Sequence, residues 1–149
     1  MDFLVRVASS AEVRDAAYAL RKAVFEEEQQ LPRVLDRDAL DFSADHVVAF
    51  DAEGRCVGTC RMVRTDSRTC QIGRIAVAAD QRRRGIAAAM LSALERMARL
   101  RGISELAVAS QLGSEPFFRD NGYARAGEVF QDSGVPHVVM RKNLVTTTT

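Results

Sequence analysis

Apolar and polar positions alternate with period two at Phe3–Val7, then switch to helical spacing at Val13, Ala17, Leu20 and Val24. The first pattern predicts a strand. The second predicts a helix that opens on the capping-box signature Ser9-Ser10-Ala11-Glu12 and runs to about Phe25. Leu31–Ala44 is polar, contains Pro32 and reads as a loop with a short helical turn. Strands at His46–Phe50 and Arg55–Arg64 flank the turn Asp51-Ala52-Glu53-Gly54, and a third strand follows at Cys70–Val77. After Asp80 the period changes again. Ile86, Met90, Leu94, Met97 and Ala98 line one face of a helix over Gly85–Arg101, with Gly102 as its stop. Ile103–Ala109 reads as a buried strand and Ser114–Asn121 as a short helix closed by Gly122. Two strands near Tyr123–Phe130 and His137–Lys142 finish the chain. The order predicts an α/β fold, a mixed sheet with helices on its faces.

Composition narrows the class. At 149 residues and 47% apolar content the chain is one globular domain, residues 1–145, with Thr146–Thr149 as a short polar tail. That apolar fraction excludes intrinsic disorder, and no internal period of a repeat array is present. No run approaches the roughly 18 apolar residues of a membrane span, and Met1–Arg6 does not read as a secretory signal. Cys56, Cys60 and Cys70 are odd in number and fit reduced thiols of a cytoplasmic protein.

The net charge of +1 hides an asymmetry. Residues 1–54 hold six basic and twelve acidic side chains, and residues 55–101 hold eleven basic and three acidic. Nineteen of the 21 cations are Arg, the side chain suited to forked phosphate contacts. Such a division fits two partners of opposite charge meeting on one domain, or a surface charged only for solubility.

The strongest local signal is the stretch Ile72–Val77, then Ala78–Gln81, then Arg82-Arg83-Arg84-Gly85-Ile86-Ala87 opening a helix. A strand, a tight turn and a helix N-terminus point backbone N–H groups at one spot, a natural anion site. The Arg run also fits a solvated surface, a nucleic-acid patch or plain helix punctuation. Cations at a helix N-terminus are unfavourable without an anion, which favours the anion site. Stacking aromatics for nucleic acid are scarce: the chain has no Trp and two Tyr.

Arg82-x-x-Gly85-x-Ala87 resembles the acyl-CoA signature of the GNAT superfamily of N-acyltransferases, Gln/Arg-x-x-Gly-x-Gly/Ala, and the predicted element order is similar to that family's fold. Val24-Phe25-x-x-Glu28-Gln29, Asp38-x-x-Asp41 with His46, Ala109-x-Gln111 and Gly134-Val135-Pro136-His137-x-x-Met140 resemble its small ElaA-like branch. The resemblance implies a GNAT-type fold with a central mixed, mostly antiparallel sheet flanked by helices. It implies acetyl-CoA (coenzyme A) as co-substrate, no metal, and direct transfer of acetyl to an amine of a small-molecule or peptide acceptor. The pyrophosphate would sit on the amides of Arg82, Arg83, Arg84, Gly85, Ile86 and Ala87. The edge Ile75, Ala76 and Val77 would hold the pantetheine, with Gln111 and Phe118 also on the cofactor side. The Val77 amide would polarise the thioester carbonyl. A homodimer is the expected assembly. A non-catalytic acyl-CoA-binding module is the alternative.

An ammonium must lose its proton before attack. Glu28 and His137 are the leading candidate bases, with His46, Asp38, Asp41 and Asp45 behind them. The family's catalytic Tyr position holds Phe118, so the resemblance supplies no general acid. The acids Glu26–Glu28, Asp36, Asp38, Asp41 and Asp45 predict a cationic acceptor on their side of the cleft.

Overall fold

The computed structural model describes residues 2–145; the polar tail expected at 146–149 lies outside them. Strand β1 (Phe3–Val7) pairs antiparallel with β2 (Asp45–Asp51), Val5 opposite Ala49. Ser10 caps α1 (Ala11–Arg21) by accepting the Val13 amide through its hydroxyl at 3.2 Å. The helix then widens into a π-helical stretch, Lys22–Glu28, where the Gln29 amide donates to the Val24 carbonyl five residues back at 3.0 Å. Two short turns occupy the polar segment that follows: α2 (Arg33–Asp36) and a 3₁₀ turn at Ala39–Phe42. Asp38 opens the second with a reciprocal cap, its carboxylate taking the Leu40 amide while Asp41 takes the Asp38 amide.

The hairpin forms as β2 and β3 (Cys56–Arg64), and β4 (Thr69–Val77) continues the meander. Helix α3 (Ile86–Leu100) leads to β5 (Glu105–Gln111), which starts and ends two residues later than the predicted strand. Then come α4 (Glu115–Asp120) and β6 (Ala124–Arg125), β7 (Phe130–Asp132) and β8 (Val135–Asn143). The single strand predicted near Tyr123–Phe130 is thus two short ones, both on β8, with Gly127 in the break between them.

The sheet order is β1-β2-β3-β4-β5-β8-β6, and among the described residues β4 and β5 form its one parallel pair. This is the mixed, mostly antiparallel sheet expected. Helix α3 covers one face, burying Met90, Leu91, Leu94 and Ala98 against Val47, Ala49, Met62, Ile72 and Leu106. On the other face Ala17 of α1 packs with Ala8 and Val48, the strand neighbour whose side chain alternates with those of Val47 and Ala49. Gly58 lets α3 settle directly on β3: a Cβ there would lie 2.7 Å from Ile86 Cγ2.

Two irregularities of β4 position the site. Its ladder with β5 ends at Ile72 opposite Val108, after which β5 pairs with β8 alone. Just beyond, β4 carries one residue more than β3: Gly73 faces Arg61 and Ala76 faces Thr59. The bulge places Arg74 at φ +50°, a left-handed conformation rare for a side chain.

Candidate active site

The Ala78 amide donates to the Val57 carbonyl of β3 at 2.9 Å. Strand alternation therefore turns the N–H and C=O of Val77 to the opposite edge, the one β5 has left. There the Val77 carbonyl accepts Nε–H of Arg82 at 3.1 Å. The chain then makes a 3₁₀ turn, Ala79–Gln81, and enters α3 through Arg82–Gly85. Arg83 (φ +65°) and Gly85 (φ +82°) are both left-handed, which curls the backbone so that successive N–H groups converge. Gly85 is the helix N-cap and offers no side-chain acceptor to the first-turn amides. A Cβ at Gly85 would touch nothing within 4 Å, so space lies open in front of the helix end.

That space is a cleft of about 610 Å³. Ile75, Ala76, Val77, Arg82, Arg83, Gly85, Ile86 and Ala87 line it, as do Val24 and Gln29 from the end of the first helix, Phe117 of α4 and Asn121 just after it. Glu28 reaches over from the π-helical stretch, its two oxygens each accepting a terminal N–H of Arg82 at 2.7 Å. This forked bond holds the Glu28 carboxyl below the ordinary carboxylate range.

The aspartates of the polar segment form a separate buried cluster. Arg21, 1% exposed, bonds Asp36 (3.1 Å) and Asp41 (2.8 Å). Arg61 of β3 bonds Asp38 (2.7 Å) and Asp41 (2.9 Å), and Arg74 bonds Asp38 (3.1 Å) and the Asp36 carbonyl (2.9 Å). Burial would raise the Asp41 carboxyl, but the hydrogen bonds from Arg21, the Asp38 amide and Arg61 together hold it far below the usual range. Asp45 pairs with Arg101. Of the acids expected to attract a cationic acceptor, five are therefore already ion-paired: Glu28, Asp36, Asp38, Asp41 and Asp45. Glu26 differs: the neighbouring Asp36 carboxyl raises its own above the usual value.

The sequence profile of the acetyltransferase (GNAT) domain matches residues 8–144. The chain belongs to the GNAT acetyltransferase family. A Bacillus subtilis protein that carries an acetyltransferase name is 34% identical over 142 residues, 93% of this chain and 95% of the relative. A Lactobacillus plantarum structure that carries an N-acetyltransferase name superposes with a TM-score of 0.90 at 26% identity, covering 97% of this chain and all of that one (100%). Escherichia coli ElaA shares the fold at a TM-score of 0.83 and 21% identity, over 94% and 99% of the two chains. As a GNAT member the protein is an N-acetyltransferase with acetyl-CoA as its acetyl donor.

In this GNAT acetyltransferase eight of the eleven residues expected on the cofactor side line one cleft. Three do not. Arg84 is exposed beside it, and Gln111 is exposed at the end of β5, paired with His137. Phe118, expected against the pantetheine, is buried in the core between Phe117 and Tyr123, with ring centroids 5.1 and 5.8 Å away. The neighbouring Phe117 takes the cleft position, with Asn121 one helical turn on. Helical spacing of Phe117 and Asn121 was the available sign, once α4 was oriented.

His137 is not among the residues lining the cleft. It belongs to the β7–β8 hairpin, donating Nδ1–H to the Val135 carbonyl at 2.7 Å beside the Phe130 ring. His46 is buried, with Nε2 3.0 Å from the Asp41 carbonyl, and burial lowers its imidazole pKa. Tyr123, which follows α4, donates its hydroxyl to Glu95 and faces the core. Burial pushes the Cys56 thiol up to about 11 and raises Cys60 and Cys70 as well, so none is a ready thiolate.

Proposed function

We propose that the cleft beside α3 is the acetyl-CoA site and that Ile75–Val77 is the edge on which the thioester is presented. The uncapped first turn of α3, entered through left-handed Gly85, carries this reading. It offers aligned N–H groups and a positive helix end to a diphosphate, with Arg82–Arg84 beside it. The open-edge N–H and C=O groups suit the amides of a pantetheine arm, and the Val77 amide suits a developing oxyanion.

In this scheme a neutral amine attacks the thioester carbonyl directly. The N–C bond forms, the C–S bond breaks, and coenzyme A leaves as a thiolate, a tolerable leaving group at a thiol pKa near 8.5; the acylated nitrogen gives its remaining extra proton to that thiolate, directly or through water, leaving the neutral amide and free coenzyme A. Glu28 is the favoured base because its carboxylate is held by Arg82, a residue of the cleft lining, and it takes the ammonium proton directly or through water. His137, bonded within its own hairpin, is the weaker candidate.

Support for a cationic acceptor narrows to Glu26 and Glu27, which carry no ion pair among the described residues. A cytoplasmic location accords with three free thiols, and a homodimer with apolar surface such as Phe42, 88% exposed. Calorimetry with acetyl-CoA, followed by thiol release over a panel of polyamines, aminoglycosides, lysine peptides and neutral amino acids, tests the scheme. Absent binding of acetyl-CoA would refute it. A preference for acidic amines would refute the cationic acceptor alone.

A further inference from the structure

Arg74 combines three features that its neighbours do not share. It sits at φ +50° in the β4 bulge, without the freedom of glycine. It stands one residue before Ile75–Val77 and two after Ile72, where the ladder to β5 stops. Its guanidinium reaches across to a segment 36 to 38 residues away, donating to the Asp36 carbonyl at 2.9 Å and to Asp38 Oδ2 at 3.1 Å. Asp38 cannot yield easily, because both terminal nitrogens of Arg61 hold it at 2.7 and 3.0 Å. Asp41 ties Arg61 to Arg21, so α1, the polar segment, β3 and the bulge are bound into one unit. With three arginines against three aspartates the unit is neutral, so attracting a charged substrate is not its function.

We propose that Arg74 is a positioning residue for acetyl transfer: by tying the bulge of β4 to the Asp36–Asp38 turn, it fixes the angle at which the Val77 amide meets the thioester carbonyl. This rests on the reading of Ile75–Val77 as the thioester edge. The side chain contributes direction to that edge, while the first turn of α3 contributes affinity. Loss of Arg74 therefore costs carbonyl polarisation before it costs binding.

The test uses acetyl-CoA labelled with ¹³C at the thioester carbonyl, bound to wild type, Arg74→Gly and Arg74→Lys. Glycine accepts the left-handed φ unstrained, so Arg74→Gly retains the bulge and removes only the tether. Infrared difference spectra read the carbonyl stretch, and calorimetry reads affinity. Wild type lowers the stretch relative to free acetyl-CoA. Arg74→Gly binds within about threefold of wild type but returns the stretch towards its free value, and Arg74→Lys regains part of the shift. Should Arg74→Gly fail to fold, Arg74→Lys against wild type carries the same comparison. A wild-type shift retained in the variants overturns the role of Arg74 alone. No binding, or no shift, in wild type overturns the thioester-edge reading and this role with it.

Discussion

Glu28 and Arg82, 54 residues apart in sequence, meet in a two-pronged bond with both contacts at 2.7 Å. The same guanidinium donates Nε–H to the Val77 carbonyl at 3.1 Å. A carboxylate thus occupies the Arg that a diphosphate would use, and that Arg occupies a strand carbonyl that a pantetheine amide would use. Glu28→Gln weakens this competition and removes the proposed base. Acetyl-CoA affinity should rise while turnover falls by about 10²-fold or more. Calorimetry and steady-state thiol release on the one variant separate the two effects; unchanged turnover would remove Glu28 as the base.

Gly85→Val introduces a β-branched side chain at φ +82° and fills the open space before α3. The conformational cost is about 1–2 kcal/mol, which a domain of this size survives. Circular dichroism should show a folded protein, and calorimetry should show acetyl-CoA binding lost.

Cys56, Cys60 and Cys70 all have raised thiol pKa values, so none needs to carry the acetyl group. Triple replacement by Ala should leave turnover within about tenfold, an allowance of roughly 1.4 kcal/mol for repacking. Isolation of an acetyl-cysteine by mass spectrometry would contradict direct transfer.

The aspartate cluster sets the acid limit of the fold. Asp38 and Asp41 have folded pKa values below the unfolded value of about 3.9, so the unfolded chain takes up protons first as pH falls. Their stabilisation is complete above pH ~4 and is lost as pH drops through the lowered folded values. Urea midpoints from pH 7 to pH 2 should fall steeply below pH ~4. Asp41→Asn leaves Arg21 and Arg61 under-paired and should cost about 3 kcal/mol at pH 7. It should also flatten the acid limb.

Gly58→Ala forces a methyl to within 2.7 Å of Ile86 Cγ2 and 3.1 Å of Met90 Cε. Overpacking of this kind costs about 1–3 kcal/mol. Thermal denaturation should show a lowered midpoint, partly restored by adding Ile86→Val.

What the sequence made legible were the features set by local pattern. Ile86, Met90, Leu94 and Ala98 announced α3, alternation announced β1, the turn at Asp51–Gly54 announced the β2–β3 hairpin, and Arg82-x-x-Gly85-x-Ala87 announced the turn that lines the cleft. What escaped depends on partners far along the chain. The π-helical stretch at Lys22–Glu28 has the same apolar spacing at Val24 as an α-helix. The bulge at Arg74 exists only as a mismatch of register with β3. The acids of residues 36–45 looked like a free negative surface because Arg21, Arg61, Arg74 and Arg101 find them across gaps of 15 to 56 residues. Phe117 and Phe118 are adjacent, and which ring faces the cleft is decided by how α4 docks.

Strand β4, the turn, α3 and β5 are a single crossover, and Thr69 must wait for Glu105 before the parallel ladder can zip. Closing that loop carries an entropic cost that the local hairpins avoid. A chain holding only the β1–β4 meander and α3 still lacks α4, which follows β5 and brings Phe117 to the cleft. Ligand binding would then act as a reporter of completed folding: only the chain that has closed the crossover has a cleft to fill. Saturating acetyl-CoA would be expected to slow unfolding more than it speeds refolding.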